Sequence, residues 1–453
     1  MAGDKYQIDM CQGAILPKLL RFAFPIIAAN VLQLIFHVID LTVIGRFASP
    51  SALAAIGATS VIYALIVTFS AGISVGTNVL AARYFGAKDP HKLHLTVHTS
   101  IAFAIWGGIL LTIAALAVTR PGLQCLQTPP ELLEDSTHYL WIIFLGMPFL
   151  MLYTIGAAIL RGLGDSRRPL YFLLAGAALK AGLNLFFVAV CHFDVIGVAV
   201  ASGISQALMG ALILRTLVRS GGAARLHWKQ IRFESSSLKE ILRLGVPASI
   251  QSSSYAVSNL LIQSSINSFG AHAIAGNTAA GALEGIIHVG SMAFYMSAIS
   301  FTAQNHGAGH ITRVCRGILI CMAAGTIISG GCGLLFAAFG EPLLGIFTAD
   351  PETIRLGLIR THITYTLYFT AGVMEAISGS LRGLGYSVSS MIVTVTGICG
   401  LRLVWVLMVF PHFRSLECLY FSYPLSWGLV AVMNGVLLWS VCRKLRGMPR
   451  RTA

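Results

Sequence analysis

The sequence predicts an all-α membrane protein with twelve transmembrane helices, arranged as two parallel six-helix repeats, or lobes, around a central cavity. Three observations predict it. The 453 residues are 56% hydrophobic and only 11% charged, against roughly 25% charged in an average soluble domain, and the mean hydropathy is +0.78. Twelve apolar stretches, each able to supply the about 20 residues that a bilayer crossing takes, alternate with short polar turns. The second half of the chain also repeats landmarks of the first at an offset of 221 to 222 residues.

In chain order the first six stretches lie near 19–45, 52–82, 95–118, 136–160, 170–190 and 195–218. The first opens on Leu20-Arg21 and holds Pro25, the second ends before Gly86-Ala87, and the fourth ends in Leu160-Arg161-Gly162-Leu163-Gly164. The other six lie near 240–269, 275–303, 316–339, 360–381, 390–411 and 418–442, and they meet the same landmarks. Leu242-Arg243 with Pro247, Gly307-Ala308 and Leu381-Arg382-Gly383-Leu384-Gly385 stand where the repeat requires them. Agreement across so much of each half means duplication. Six spans per unit give both repeats the same orientation, so they are parallel repeats related by an axis along the membrane normal.

The net charge of +14 would suggest nucleic acid as a partner in a soluble protein, but here the basic residues follow topology. Of 31 Lys and Arg, 24 fall in segments on the side of the N terminus, Arg382 among them, 5 fall in the opposite loops (Arg46, Arg120, Arg355, Arg360 and Arg414), and Lys180 and Arg402 fall inside spans. By the positive-inside rule both termini face the cytoplasm. The division that follows is an N-terminal lobe over 1–218, a basic linker over 219–239 and a C-terminal lobe over 240–453. The joint from Arg215 to Arg243 carries seven positive charges, with Gly221-Gly222 and Ser235-Ser236-Ser237. It suits a cytoplasmic linker at anionic lipid headgroups and equally a plain topogenic loop. Nine scattered cysteines, an odd number without paired metal spacing, argue against a disulfide or zinc framework. Nothing before the first span reads as a cleavable signal, so that span is expected to serve as an uncleaved anchor.

A charged side chain in hydrocarbon costs roughly 2.5–3.5 kcal/mol on insertion scales, so each one kept there needs a partner or a task. Asp40, Lys180, Glu284, Glu375 and Arg402 meet that description. Asn30, Gln33, His37 and Asp40 fall at spacings of 3, 4 and 3, on one face of the first helix. In the seventh, Gln251, Tyr255, Asn259, Gln263 and Asn267 recur every fourth residue. Both stripes are expected to face the shared cavity, the alternative being interhelical hydrogen-bonding glue. Asp40 is the candidate for coupling, with His37 one turn earlier able to share its proton. Glu375, and Glu284 beside His288, are candidates to attract a cation. Tyr255, Met292, Tyr295, Met296, Tyr365, Tyr368 and Met374 lie near the polar stripes, and aromatic faces and thioethers suit flat, greasy cations. Taken singly, each also suits packing.

No phosphate-binding loop, nucleophile elbow or metal-ligand pair is present in the sequence. The chain therefore reads as a transporter rather than an enzyme. Without a nucleotide site it draws on an ion gradient, and no cofactor is expected.

The motifs together resemble the multidrug and toxic compound extrusion family. They are Leu20-Arg21 to Pro25, Asp40 with Gly45 and Leu53-Ala54-Ala55, Gly86-Ala87, Leu160 to Asp165, Gly197-Val198-Ala199 to Ser205-Gln206, and Leu381 to Gly385. The resemblance covers nearly the whole chain. It implies export of amphiphilic organic cations in exchange for protons or sodium, through rocking of the two lobes. The family's first-span aspartate falls on Asp40. In its sodium-binding members an asparagine and an aspartate four apart on the fifth span join it, and here those places read Lys180 and Asn184. The sixth-span threonine position reads Ser202. An ammonium at Lys180 takes the space and charge of a sodium ion, so the departure argues for proton coupling. A lysine snorkelling to the interface is the plainer reading of Lys180.

The alternative within the same body plan is a lipid-linked oligosaccharide flippase, which wants a strongly basic cavity. The span interiors as read here hold three acids against two bases. The partners expected are small organic cations and the lipid bilayer, with no nucleic acid, and the protein is expected to be a monomer. A short chain without tails points to a bacterial plasma membrane.

Overall fold

The computed structural model describes residues 6–47 and 49–447, except the side chains at 37, 41 and 50–53. The His37 side chain, and Lys5, Arg450 and Arg451 of the charge pattern, therefore lie outside the described set. Among the described residues there is no strand, and helix occupies every predicted stretch.

The first repeat comprises α1 (Ile15–Phe47), α2 (Pro50–Gly86), α3 (Pro90–Cys125), α4 (Pro130–Leu145), α5 (Met147–Gly162), α6 (Arg167–Asn184) and α7 (Asp194–Arg219). The second comprises α8 (Ser235–Asn267), α9 (Ala271–Gly307), α10 (Ile311–Ala338), the short α11 (Gly340–Gly345), α12 (Pro351–Arg360), α13 (Phe369–Gly383), α14 (Ser387–Val395), α15 (Leu401–Val404) and α16 (Leu416–Gly447). Among the described residues, nine helical segments are long and apolar enough to cross a membrane, or ten with α4 and α5 taken as one span bent by 46°. The two predicted stretches outside that set are instructive. The span of α8 is filled with Gln251, Ser252, Ser253, Ser254, Ser258, Asn259 and Gln263, and α12 and α13 are short pieces separated by a π-helical turn at Thr361–Tyr365.

Two of the three repeated landmarks are helix ends, the Leu-Arg and proline pair lying inside α1 and α8. After α5, the Gly164 N–H donates to the Arg161 carbonyl and the Asp165 N–H to that of Leu160, and Gly164 takes φ +87°. After α13, Gly385 and Tyr386 repeat those bonds to Arg382 and Leu381, with φ +95° at Gly385. This is the Schellman closure, in which a left-handed glycine satisfies the last carbonyls. The preceding glycine serves packing: a Cβ on Gly162 would lie 2.9 Å from the Asn78 carbonyl oxygen of α2, and one on Gly383 would lie 2.7 Å from that of Ile299 in α9. Asp165 then starts the next helix, accepting the backbone N–H groups of Arg167 and Arg168 at 3.0 and 3.1 Å.

The chain forms two compact units. One holds Met1–Asp9 with Ala28–Ser249, the other Met10–Ile27 with Ile250–Ala453. So α1 and α8, the opening helices of the two repeats, each change unit part way along. In the first unit, Leu93, Val97 and Ile101 of α3 pack with Ile155 and Ile159 of α5 and Ile213 and Leu217 of α7. In the second, Leu283 and Ile287 of α9 pack with Tyr365, Tyr368, Tyr423 and Trp427. Outward-facing Phe24, Trp106, Val432 and Trp439 are each at least 60% exposed, a surface that water penalises and that lipid tails cover without cost.

The linker is two-faced. Ala224 and Leu226 are buried in the core of the first unit, and the Leu226 N–H donates to the Leu217 carbonyl at 3.0 Å. Arg225, Trp228, Lys229, Arg232 and Phe233 are exposed. At its far end the Glu234 carboxylate accepts the N–H groups of Ser236 and Ser237, and those bonds hold its carboxyl down to about 2.

Candidate functional site

The first unit assembles three of the predicted coupling residues. Lys180 and Asn184 stand one turn apart on α6, so both side chains reach the same point on α1. The Lys180 ammonium donates to Asp40 Oδ2 at 2.5 Å, and Asn184 Nδ2 donates to Asp40 Oδ1 at 2.6 Å. Both carboxylate oxygens are thus engaged. The pair is largely shielded, with 28% of the Lys180 side chain and 13% of Asp40 accessible. A π-helical turn, Leu185–Val190, follows Asn184 directly, and such turns in helices are often sited where function needs them. Ser202 does not join the group, because its hydroxyl donates to the Val198 carbonyl of its own helix, α7, at 2.9 Å. Gln33 is exposed on α1.

In the second unit the polar stripe of α8 has other work than an open cavity wall. Gln251 Oε1 accepts Arg382 Nη2 at 2.7 Å, and the other Arg382 amine meets the Tyr295 hydroxyl. Asn259 Oδ1 accepts Arg402 Nη1 at 2.9 Å. Gln263 Nε2 donates to Asn267 at 2.9 Å, and Gln263 Oε1 accepts from Asn277, which in turn accepts Arg360 Nη1 at 2.6 Å. The amides of α8 therefore fasten three buried arginines, directly or through Asn277. Hydrogen-bonding glue, the alternative reading of the stripe, describes Gln251, Asn259 and Gln263 here.

Three expectations change as a result. Glu284 is not an open carboxylate, because Arg360 forms an ion pair with it. Arg360, read from sequence as a loop residue, ends α12 at 8% exposure and carries this pair inward. Arg382, assigned to an inside loop, is also buried. To the three acids and two bases of the span interiors, burial thus adds Arg360 and Arg382, together with Asp165, among the described residues. Glu375 of α13 is buried and, among the described residues, has no ion-pair partner.

The aromatic candidates divide in the same way. Tyr365 is fully buried with its hydroxyl on the Ala280 carbonyl, and Tyr368 and Met374 belong to the core. These are packing residues in this arrangement. Tyr255, Met292 and Met296 keep partial exposure. Arg402, by contrast, is almost fully enclosed: Nε donates to Ser426 at 3.2 Å, Nη1 also reaches Ser258 at 3.3 Å, and the guanidinium lies 4.1 Å from the Tyr423 ring centroid. Ser258, Ser426 and Tyr423 were not legible as ligands, since each is a common residue of an apolar helix. The buried state of Arg360 and Arg382 did have a signal, because each directly adjoins an apolar stretch.

The family model described as MatE matches residues 25–186 and 247–408, once in each repeat. The probable multidrug resistance protein YoeA of Bacillus subtilis is 26% identical over 417 residues, covering 90% of each chain. The multidrug export protein MepA of Staphylococcus haemolyticus is 22% identical over 434 residues, covering 96% of this chain and 95% of its own. Among solved structures, an outward-facing multidrug resistance MATE family transporter superposes with TM-score 0.91 at 19% identity, over 99% of this chain and all of that one. A transporter from Pyrococcus furiosus, described as having reversed polarity in its binding pocket, matches with TM-score 0.89 at 19% identity, over 97% and 98% of the two chains. With one family segment in each repeat and the fold shared end to end, the chain belongs to the MatE family of membrane transporters and is not an enzyme.

Proposed function

We propose that this protein exports amphiphilic organic cations in exchange for protons, by alternating access in a bacterial plasma membrane, as a monomer with both termini in the cytoplasm. The observation that carries the coupling half of the reading is the Asp40–Lys180–Asn184 group. A carboxylate whose two oxygens are held by an ammonium and an amide leaves no room for a sodium ion. A proton arriving at Asp40 cancels its charge, weakens both bonds and frees α1 from α6. The ammonium restores the pair once the proton leaves. Binding a proton or a substrate shifts the balance between two arrangements only by its differential affinity for them, and a bond that exists in one protonation state alone supplies such a difference.

The substrate half rests on the names of the relatives, which are multidrug resistance and multidrug export proteins, and on Glu375. With Glu284 neutralised by Arg360, Glu375 is, among the described residues, the buried acid of the second unit that is left to favour a cation. Tyr255 and Met292 offer aromatic and thioether surface for a flat apolar body.

The flippase reading gains one observation, the burial of Arg360 and Arg382 in addition to Arg402. Those arginines are tied to Gln251, Asn259 and Asn277, however, and so are spent on holding helices together. Efflux of a cationic dye from proteoliposomes, driven by an imposed pH gradient and separately by a sodium gradient, tests the proposal. Export driven by the pH gradient alone is expected. Export driven by sodium at uniform pH, or flipping of a lipid-linked glycan without dye export, would contradict it.

A further inference from the structure

Three histidines meet where the linker docks on the first unit. His94 and His98 are one turn apart on α3, with ring centroids 4.0 Å apart. His227, in the linker, lies 6.1 Å from His94 and stacks with His98 at 6.3 Å and 6° between ring planes. The hydrogen bonds fix the protonation state of the central ring. His98 Nδ1 lies 2.8 Å from the His94 carbonyl oxygen, which can only accept, so Nδ1 carries the proton. His98 Nε2 lies 3.0 Å from the His227 backbone nitrogen, which can only donate, so Nε2 must be bare. The ring is therefore neutral, in a single tautomer, and both its nitrogens are used. Such commitment leaves no lone pair for a metal.

We propose that His98 is a pH-sensitive latch for the linker. Protonating Nε2 turns the acceptor into a donor aimed at another donor, the His227 N–H, inside a site where His98 itself is 2% exposed. Any charge on His94 or His227 adds repulsion at the same spot, and among the described residues no ion pair or hydrogen bond joins His98 to an acidic side chain. The linker is built to respond. It leaves α7 through Gly221 and Gly222, the latter at φ +67° with open space around its Cα, a conformation that a glycine hinge adopts freely. Beyond His227, its polar tie to α3 among the described residues is the Glu234 N–H on Thr99 Oγ1 at 3.3 Å. Histidine titrates within the physiological range, so the latch releases as the surrounding solution acidifies and reseats as it recovers. A transporter that brings protons inward would then loosen this linker when acid accumulates on that side.

Hydrogen exchange measured by mass spectrometry on the full-length protein in nanodiscs, from pH 8 to 5.5 and corrected for intrinsic exchange, reads the latch at the peptide covering 224–234. The wild type is expected to lose at least tenfold protection there across that range, while peptides of the α3 core stay protected. His98→Gln places a non-titrating acceptor near the same position and is expected to remain protected at pH 5.5. His98→Phe, with no acceptor, is expected to be unprotected at every pH. Should His98→Phe fail to fold, the comparison of wild type with His98→Gln decides the matter. Constant protection in the wild type, or the same acid loss in His98→Gln, would overturn the proposal, and neither outcome depends on what the protein transports.

Discussion

Lys180 and Arg402 are repeat mates at an offset of 222, and each donates to the opening helix of its own repeat, Lys180 to the Asp40 carboxylate and Arg402 to the Asn259 amide. The offset is 221 at the Leu-Arg-Gly-Leu-Gly helix ends. The π-helical turn Thr396–Gly400 lies between that end and Arg402, while α6 runs without one from Arg167 to Asn184. A π turn carries an added residue, which accounts for the shift. One frame thus presents a cation to a titratable group in the first unit and to neutral groups in the second.

The Arg360–Glu284 pair is a structural element of the second unit. Removing one partner of a buried pair leaves an uncompensated charge, a loss of about 3–5 kcal/mol, whereas replacing both with apolar groups of similar volume is often tolerated. Arg360→Met is therefore expected to lower the thermal midpoint in detergent markedly, and Arg360→Met with Glu284→Met is expected to recover most of it. If the double variant is less stable than either single one, the pair is not the source of the effect.

Arg402 acts through geometry as well as charge. A lysine there keeps the charge but loses the fork that reaches Ser426, Ser258 and Asn259 together while lying over Tyr423. Arg402→Lys is expected to lower the thermal midpoint, and Asn259→Ala to lower it less, since two hydroxyl acceptors remain. Equal stability of Arg402→Lys and the wild type would show that charge alone suffices.

The two glycines of each Leu-Arg-Gly-Leu-Gly end fail for different reasons. Gly385→Ala forces a side chain into a left-handed conformation and is expected to cost on the order of 1 kcal/mol. Gly383→Ala drives a methyl group against the Ile299 carbonyl, an overpacking expected to cost about 1–3 kcal/mol. Thermal midpoints should therefore fall further for Gly383→Ala, and the reverse order would contradict this packing account.

The Glu234 cap of α8 has a defined pH dependence. Its carboxyl is held down to about 2 by Ser237 and Ser236. A depressed acid contributes stability above its unfolded value near 4.5, and loses it as pH falls through the folded value. Protection of the first turn of α8 in hydrogen exchange should thus be insensitive to this group between pH 5 and 8. Glu234→Ala should reduce that protection across the whole range.

Much of the frame was legible because the bilayer constrains it. Apolar length located the helices, and the repeated glycine ends could be matched before their closures were seen. The Asp40, Lys180 and Asn184 positions could be set together through the family resemblance alone, and the spacing of four then lets Lys180 and Asn184 share a face. What sequence could not resolve was which way a polar face turns. A row of amides at every fourth residue is the same pattern whether it meets water or guanidinium groups; Gln251 and Asn259 meet the latter directly, and Gln263 does so through Asn277. Arg360 and Arg382 sit at the ends of apolar stretches, where a shift of a few residues moves a charge from a loop to the interior. Ser202 stands at the family's sixth-span threonine position, but a serine in a helix can instead bond its own preceding turn, and here it does.

Proton exchange at Asp40 is the central claim, and counting protons against substrate tests it most directly. Proteoliposomes holding a pH-reporting dye, loaded with a cationic substrate at uniform sodium, should show proton movement opposite to substrate flux in the wild type. In Asp40→Asn both should be lost, although the protein still binds substrate. Undiminished proton-coupled flux in Asp40→Asn would contradict the account.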